Sequence, residues 1–282
     1  MSLLDKNLDN VETEKDLFGS GAKKLSMKER IGFVPISIWQ PDWNIVKQLK
    51  KIVGDDAVTR KNSGSLGYLG SRDKKTSIFN PHLSQMILSA YCPPKAKIYD
   101  PFAGGGTRGF IAVAMQHKYW GLEIREEEVN RIKGQQKVLN LSFDITVGDA
   151  QYCPFEENFF DFSYTCPPYY NLEVYSKLET DLSSAKTYID FLKMLKLCMI
   201  GVYKGLKKGG LSVWVVGNFR DSKGELTPFN SHLVMLAKKI GFKLHDELIF
   251  WGASKCAAQR SGQFEANRKS VRVHEYIIIF KK

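Results

Sequence analysis

Cysteine is scarce in this 282-residue chain: Cys92, Cys153, Cys166, Cys198 and Cys256 are an odd number and include no CxxC pair. That makes zinc fingers and a disulfide framework poor readings, and the reducing cytoplasm the better one. Long apolar runs are missing too. No stretch of roughly 18 uncharged apolar residues exists, so no spanning helix and no membrane partner are expected. The opening segment, MSLLDKNLDNVETEKDLFGSG, has no apolar centre, so no signal peptide is expected. Acidic residues are in deficit, 30 Asp and Glu against 41 Lys and Arg, giving a net charge of +11. Such an excess suggests a polyanionic partner. Residues 1–30 are balanced, whereas residues 31–80 carry +4 and residues 251–282 carry +5. A solvated basic surface and a nucleic-acid face built from two distant segments are both compatible with that distribution.

What is present fits a soluble globular protein, 43% hydrophobic and 25% charged. A chain of this length buries roughly 75% of its unfolded surface, so its core needs no staple. Residues 1–75 read as an N-terminal extension, a candidate DNA-contact or target-recognition segment. It contains a helix over WNIVKQLKKIVG (43–54), stopped by Gly54, and a Gly/Ser/basic loop over 60–75. From residue 76 onward strands and helices alternate. Strands are predicted at 97–100, 119–124, 145–149, 159–166, 211–219, 243–251 and 274–280. Helices are predicted at 82–91, 109–117, 125–140, 185–206 and 229–241, the fourth closed by the glycines of LKKGG. This rhythm predicts a mainly parallel sheet with helices on both faces. The last two strands, with no helix predicted between them, should pair antiparallel at one edge.

Ligands of open α/β sheets sit beyond the carboxyl ends of the strands. The first such end reads Asp100-Pro101-Phe102-Ala103-Gly104-Gly105-Gly106-Thr107. Gly104, Gly106 and Gly109 satisfy GxGxxG, which lets backbone approach a ligand and opens a helix N-terminus toward it. Glu123 follows 19 residues after Gly104 and is placed to accept from ribose hydroxyls, or to serve the dipole of the next helix. Asp149 ends the third strand and suits an adenine amine, or a turn. Together these describe a pocket for an adenosine-containing ligand, without choosing between NAD and S-adenosylmethionine.

After the fourth strand comes Thr165-Cys166-Pro167-Pro168-Tyr169-Tyr170. Two prolines fix φ, hold Cys166 extended and remove competing N–H groups. A rigid carbonyl acceptor beside an aromatic face suits a planar heterocycle bearing an exocyclic amine.

DPFAGGGT followed by CPPYY resembles the amino-methyltransferases that make N6-methyladenine or N4-methylcytosine in DNA, over roughly residues 76–282. CPPYYNLEVYS with DLS shortly after is similar to stand-alone bacteriophage methylases. The resemblance implies an α/β, Rossmann-like class I S-adenosylmethionine-dependent methyltransferase, with a mainly parallel seven-stranded sheet and an antiparallel edge strand. It implies S-adenosyl-L-methionine held by Phe79, Asn80, Pro81, Asp100, Pro101, Phe102, Ala103, Gly104, Gly106, Thr107, Glu123, Asp149 and Ala150. Catalysis would fall to Cys166, Pro167, Pro168 and Tyr169 on a base flipped from duplex or single-stranded DNA. Tyr170 and Glu173 would contact nucleic acid. Lys255, Arg260, Arg268 and Lys269, with Arg272, would line phosphates, unless 251–275 is simply a solvated basic loop. Trp251 and Phe264 are candidates to wedge at the flipped site, core packing being the plainer role for Trp251.

Two departures from the family stand out. Cys166 occupies a position where Asp, Asn or Ser is usual, and a thiol is a weak acceptor, so the Pro167 carbonyl must carry more of the task. Cys166 is not read as a C5-type nucleophile, since it precedes the prolines instead of following one. No long target-recognition insertion is evident, which leaves 31–75 and 251–273 to supply any specificity. Adenine N6 is the first expectation, with cytosine N4, guanine N2 in RNA, or a non-catalytic binding module as alternatives.

Overall fold

The computed structural model describes residues 36–53, 79–170, 176, 178–221, 223–252 and 261–282. Along the chain lie β1 (Ile38–Trp39), α1 (Trp43–Ile52), α2 (Pro81–Tyr91), β2 (Lys97–Asp100), α3 (Thr107–Ala114), β3 (Lys118–Glu123) and α4 (Glu126–Leu139). There follow β4 (Asp144–Val147), β5 (Phe160–Thr165), a 3-10 turn (Leu182–Ser184), α5 (Tyr188–Gly205), β6 (Leu206–Val216), β7 (Phe219–Arg220) and β8 (Leu226–Thr227). The chain ends with α6 (Phe229–Ile240), β9 (Lys243–Trp251), α7 (Ser261–Asn267) and β10 (His274–Lys281).

Local chemistry sets the helix boundaries. Asn80 caps α2 by accepting from the His82 and Leu83 amides at 2.9 and 3.2 Å, and Pro81 takes the first helical position, where its missing N–H costs nothing. Thr187 caps α5, accepting from the Asp190 amide at 3.1 Å. Gly241, at φ +120°, ends α6 in a backbone conformation that side chains resist.

The strands form one eight-stranded sheet in the order β1-β9-β10-β6-β5-β2-β3-β4. Every neighbouring pair is parallel except β10 with β6 and β9. β10 enters between those two strands, and its Ile277-Ile278-Ile279-Phe280 run is fully buried, as a strand covered on both faces requires. Helices α1 to α4 cover one face with a core that includes Leu83, Ile98, Phe110, Ile132 and Val215. Helices α5 and α6 cover the other, around Phe160, Phe191, Trp214 and Phe229. The chain runs outward from β2 through β3 to β4 and then returns to β5 on the other side of β2. In open α/β sheets ligands bind where the strand order reverses, which here is at the carboxyl ends of β2 and β5.

Three features differ from the pattern read in the sequence. Residues 36–53 belong to the main domain: Trp39, Leu49 and Val53 are buried in the first core, and β1 adds an eighth strand beside β9, so the boundary drawn at residue 75 does not separate them. LKKGG is the start of β6, and α5 ends earlier, at Gly205, where a Cβ would lie 3.3 Å from Phe160. The last two strands are joined through the seven-residue α7 and still pair antiparallel.

Candidate active site

The β2–α3 loop is built on its glycines. Gly104 and Gly106 sit at φ +53° and +80°, the left-handed region that side chains avoid. Among the described residues, a Cβ at Gly104 would meet only the loop's own Phe102 carbonyl, at 3.7 Å, which leaves room for a ligand. A Cβ at Gly109 would lie 2.7 Å from Phe143 and 2.9 Å from Tyr119, so the third glycine of the motif serves helix–sheet packing. Beneath the loop, Gly121 of β3 does the same for Ala103, whose amide donates to the Leu122 carbonyl at 2.8 Å. Thr107, at the first position of α3, is 2% exposed, and its hydroxyl is buried without a hydrogen-bond partner. Gly106 instead packs on Ile132, 3.1 Å from where its Cβ would lie, so it is Gly104, with the orphaned Thr107 hydroxyl at the helix N-terminus, that fits a small polar ligand carried by the loop.

Asp100 lies under this loop, fully buried. One carboxylate oxygen accepts from the Phe102 amide at 3.0 Å and the Thr165 hydroxyl at 2.6 Å. The other accepts from Arg108 Nε at 2.6 Å and the Tyr119 hydroxyl at 2.7 Å. Arg108 also donates to the Phe102 carbonyl and stacks its guanidinium 4.9 Å from the centre of the Phe79 ring. Burial alone would push the Arg108 pKa down; Asp100 outweighs it and holds the guanidinium charged. Phe79 meets Tyr164 edge-on at 5.7 Å. Asn80 and Pro81 serve to start α2.

Thr165 ends β5, so the Cys166-Pro167-Pro168-Tyr169 segment leaves the sheet beside the glycine loop. It crosses the sheet edge: Cys166 packs against the first core, Tyr169 and Tyr170 against the second. The Tyr169 ring meets Phe229 edge-on at 6.3 Å and lies over Gly217, where a Cβ would come within 3.4 Å of its hydroxyl. That hydroxyl donates to Glu275 at 3.5 Å, and burial raises the Glu275 carboxyl pKa against this bond. Tyr170 has a packing role, against Tyr188 and Phe191, with its hydroxyl on the Lys186 carbonyl at 3.3 Å. Asp181 of the DLS segment accepts from the Ser176 hydroxyl, five residues earlier, and from the Ser183 amide and hydroxyl.

The two acids stand farther along the same edge. Glu123 is 7% exposed, and Arg125 donates to one of its oxygens from Nε at 2.9 Å and from its amide at 3.1 Å. Burial raises the Glu123 carboxyl pKa, and Arg125 opposes that rise. A cleft of about 440 Å³ opens here, lined by Ile124, Arg125, Glu126, Val147, Ser176 and Leu178, among others. Asp149 accepts from the Gln151 amide at 2.9 Å in a turn, with Ala150 buried behind it.

The basic candidates are less gathered. Lys269 donates to the Gly224 carbonyl at 2.9 Å, and Arg268 is exposed, its guanidinium 5.7 Å from the Phe264 ring centre. Trp251 and Phe264 are 43% and 49% exposed, so Trp251 is not a core residue. Glu173, Lys255 and Arg260 lie outside the described residues. Among the described residues, no helix is long and apolar enough to cross a membrane. Arg108, Tyr119, Thr165 and Glu275 escape the sequence reading. An arginine inside the apolar run TRGFIAVA is the one local signal among them.

No family model matches the chain. A curated relative is the orphan methyltransferase M.BamHII of Bacillus amyloliquefaciens, 27% identical over 122 residues, which are 43% of this chain and 38% of that protein. The chain thus matches well under half the length of that relative. Among solved structures, the cyclase SpnF superposes with a TM-score of 0.54 at 14% identity, over 84% of this chain and 96% of that one. A protein of Thermus thermophilus, provisionally assigned as a DNA modification methylase and solved with S-adenosyl-L-methionine, superposes at 0.37 and 24% identity, over 48% and 53%. At 14% identity the likeness to SpnF establishes the fold alone, a Rossmann-like α/β fold with a mainly parallel sheet.

Proposed function

We propose that this chain is an S-adenosylmethionine-dependent DNA methyltransferase acting on the exocyclic amine of a flipped base, with adenine N6 the first target. The observation that carries the reading is the contact between the two motifs. β2 and β5 are paired, and Thr165 at the root of the Pro-Pro-Tyr segment is hydrogen-bonded to Asp100 at the root of the glycine loop. A methyl donor and a methyl acceptor held by these two loops would meet in one crevice. The partial likeness to M.BamHII and the net charge of +11 support DNA as the partner.

S-Adenosylmethionine would supply an electrophilic methyl on a sulfonium. The glycine loop would hold the donor through backbone at Gly104 to Gly106 and through the orphaned Thr107 hydroxyl. Glu123 would take the ribose with the carboxylate oxygen that Arg125 does not use, and Asp149 with Ala150 would border the adenine. The Pro167 carbonyl, aided weakly by the Cys166 thiol, would accept from the target amine and localise its lone pair, a preorganised electrostatic effect. Tyr169 would stack on the base, worth about 1–3 kcal/mol. Its ring is braced by Phe229 and Gly217 and its hydroxyl by Glu275, which fixes the stacking face in advance. The amine proton leaves after nitrogen is alkylated, so no general base is assigned.

The test is methyl transfer to duplex DNA, single-stranded DNA and tRNA. The reading expects transfer to DNA. Transfer to tRNA alone would move the assignment to RNA, and cofactor binding without transfer to any of the three would make the chain a binding module.

A further inference from the structure

Asp100 cannot serve as a ligand contact in the way its motif suggests. A carboxylate offers about four lone-pair sites. All four are taken by protein donors: the Phe102 amide, Thr165, Arg108 and Tyr119. These donors come from four separate elements: the glycine loop, β5, α3 and β3. Through Arg108 the same network reaches the Phe102 carbonyl and the Phe79 ring at the start of α2.

We infer that Asp100 and Thr165 are positioning residues, a buried clasp that fixes the glycine loop and the Pro-Pro-Tyr loop at one mutual distance. The inference rests on the proposed methyl transfer. Thr165 immediately precedes Cys166 and the two prolines, so the segment that follows is too stiff to absorb a shift at its root. A displacement at Thr165 passes undamped to the Pro167 carbonyl and Tyr169. In-line transfer between two bound groups is sensitive to such errors, about a hundredfold for 1 Å. The Asp100–Arg108 ion pair makes the clasp's hydrogen bond from the neutral Thr165 hydroxyl a charge-assisted one.

The test leaves that ion pair intact, because removing one partner of a buried pair risks unfolding. Thr165→Val deletes only the hydroxyl and keeps a β-branched side chain of similar shape; Thr165→Ser restores the hydroxyl. On the full chain, Thr165→Val should lower kcat for DNA methylation about tenfold to a hundredfold while leaving the S-adenosylmethionine Kd within about twofold, and Thr165→Ser should return kcat most of the way. Amide hydrogen exchange gives a readout that needs no activity. Thr165→Val should speed exchange at Phe102, Tyr169 and Tyr170, and Thr165→Ser should not. If the wild-type chain transfers no methyl, the functional reading fails, and the exchange result alone decides the clasp. Wild-type exchange at those three amides in Thr165→Val would overturn it, as would wild-type kcat in an active enzyme.

Discussion

Replacing Gly104 with alanine separates the cost to the fold from the cost to the ligand. At φ +53° the new residue is held in the left-handed region, a strain of about 1–2 kcal/mol. Stiffening of the unfolded chain returns about 0.4–1 kcal/mol, so the net loss should be about 1 kcal/mol. In a chain of this size that lowers Tm by about 2–4 °C. Among the described residues the added methyl touches nothing closer than the Phe102 carbonyl, at 3.7 Å, so no clash with them adds to the strain. It projects into the space where the donor would lie. Calorimetric titration with S-adenosylmethionine should therefore give a Kd raised more than tenfold, about 1.4 kcal/mol, in a protein that is still folded. Gly109→Ala is the control. Its methyl would lie 2.7 Å from Phe143, an overpacking cost of about 1–3 kcal/mol in stability. Its effect on Kd should be smaller than that of Gly104→Ala. A folded Gly104→Ala protein that binds the donor as tightly as wild type would refute the loop's role.

Tyr169→Ala should cut kcat on DNA about tenfold while sparing donor affinity, and wild-type turnover in that variant would rule out stacking on the base. His117 accepts from the Ala96 amide at 3.2 Å, and burial lowers its pKa to about 4. The unfolded chain then takes up the proton more readily below pH 6.5, so the stability this group contributes is complete above that pH and lost as pH falls toward 4. Urea titrations should show His117→Gln losing about 2 kcal/mol less than wild type between pH 7.5 and pH 5, and parallel losses would contradict this. Arg268→Ala should reduce the slope of log K against log salt for DNA by about 1; an unchanged slope would remove Arg268 from the phosphate contacts.

The fold was legible where a signal was local. KIYD is β2 residue for residue, and the Asn-Pro start of α2 and the Gly241 stop of α6 follow from backbone chemistry that a few residues suffice to encode. Ile38–Trp39 is too short to show a period, so the eighth strand was not visible. LKKGG reads as a helix terminator, yet its glycines lie inside β6, where a Cβ at Gly210 would crowd two carbonyls at 3.0 Å. The site divides in the same way. Both loops announce themselves by composition, because glycine and paired proline restrict the backbone directly. The clasp does not, since Thr165 and Asp100 are 65 residues apart, and Tyr169 and Glu275 are 106 apart. Which donor fills which lone pair is decided by strand order, which no short segment carries.

The most direct measurement is the nucleoside mass spectrum of DNA incubated with the protein and methyl-deuterated S-adenosylmethionine. The geometry of the two loops predicts a trideuteromethyl group on an exocyclic nitrogen, on adenine N6 first. Label on a ring carbon, or DNA left unlabelled by a protein that binds the donor, would contradict it.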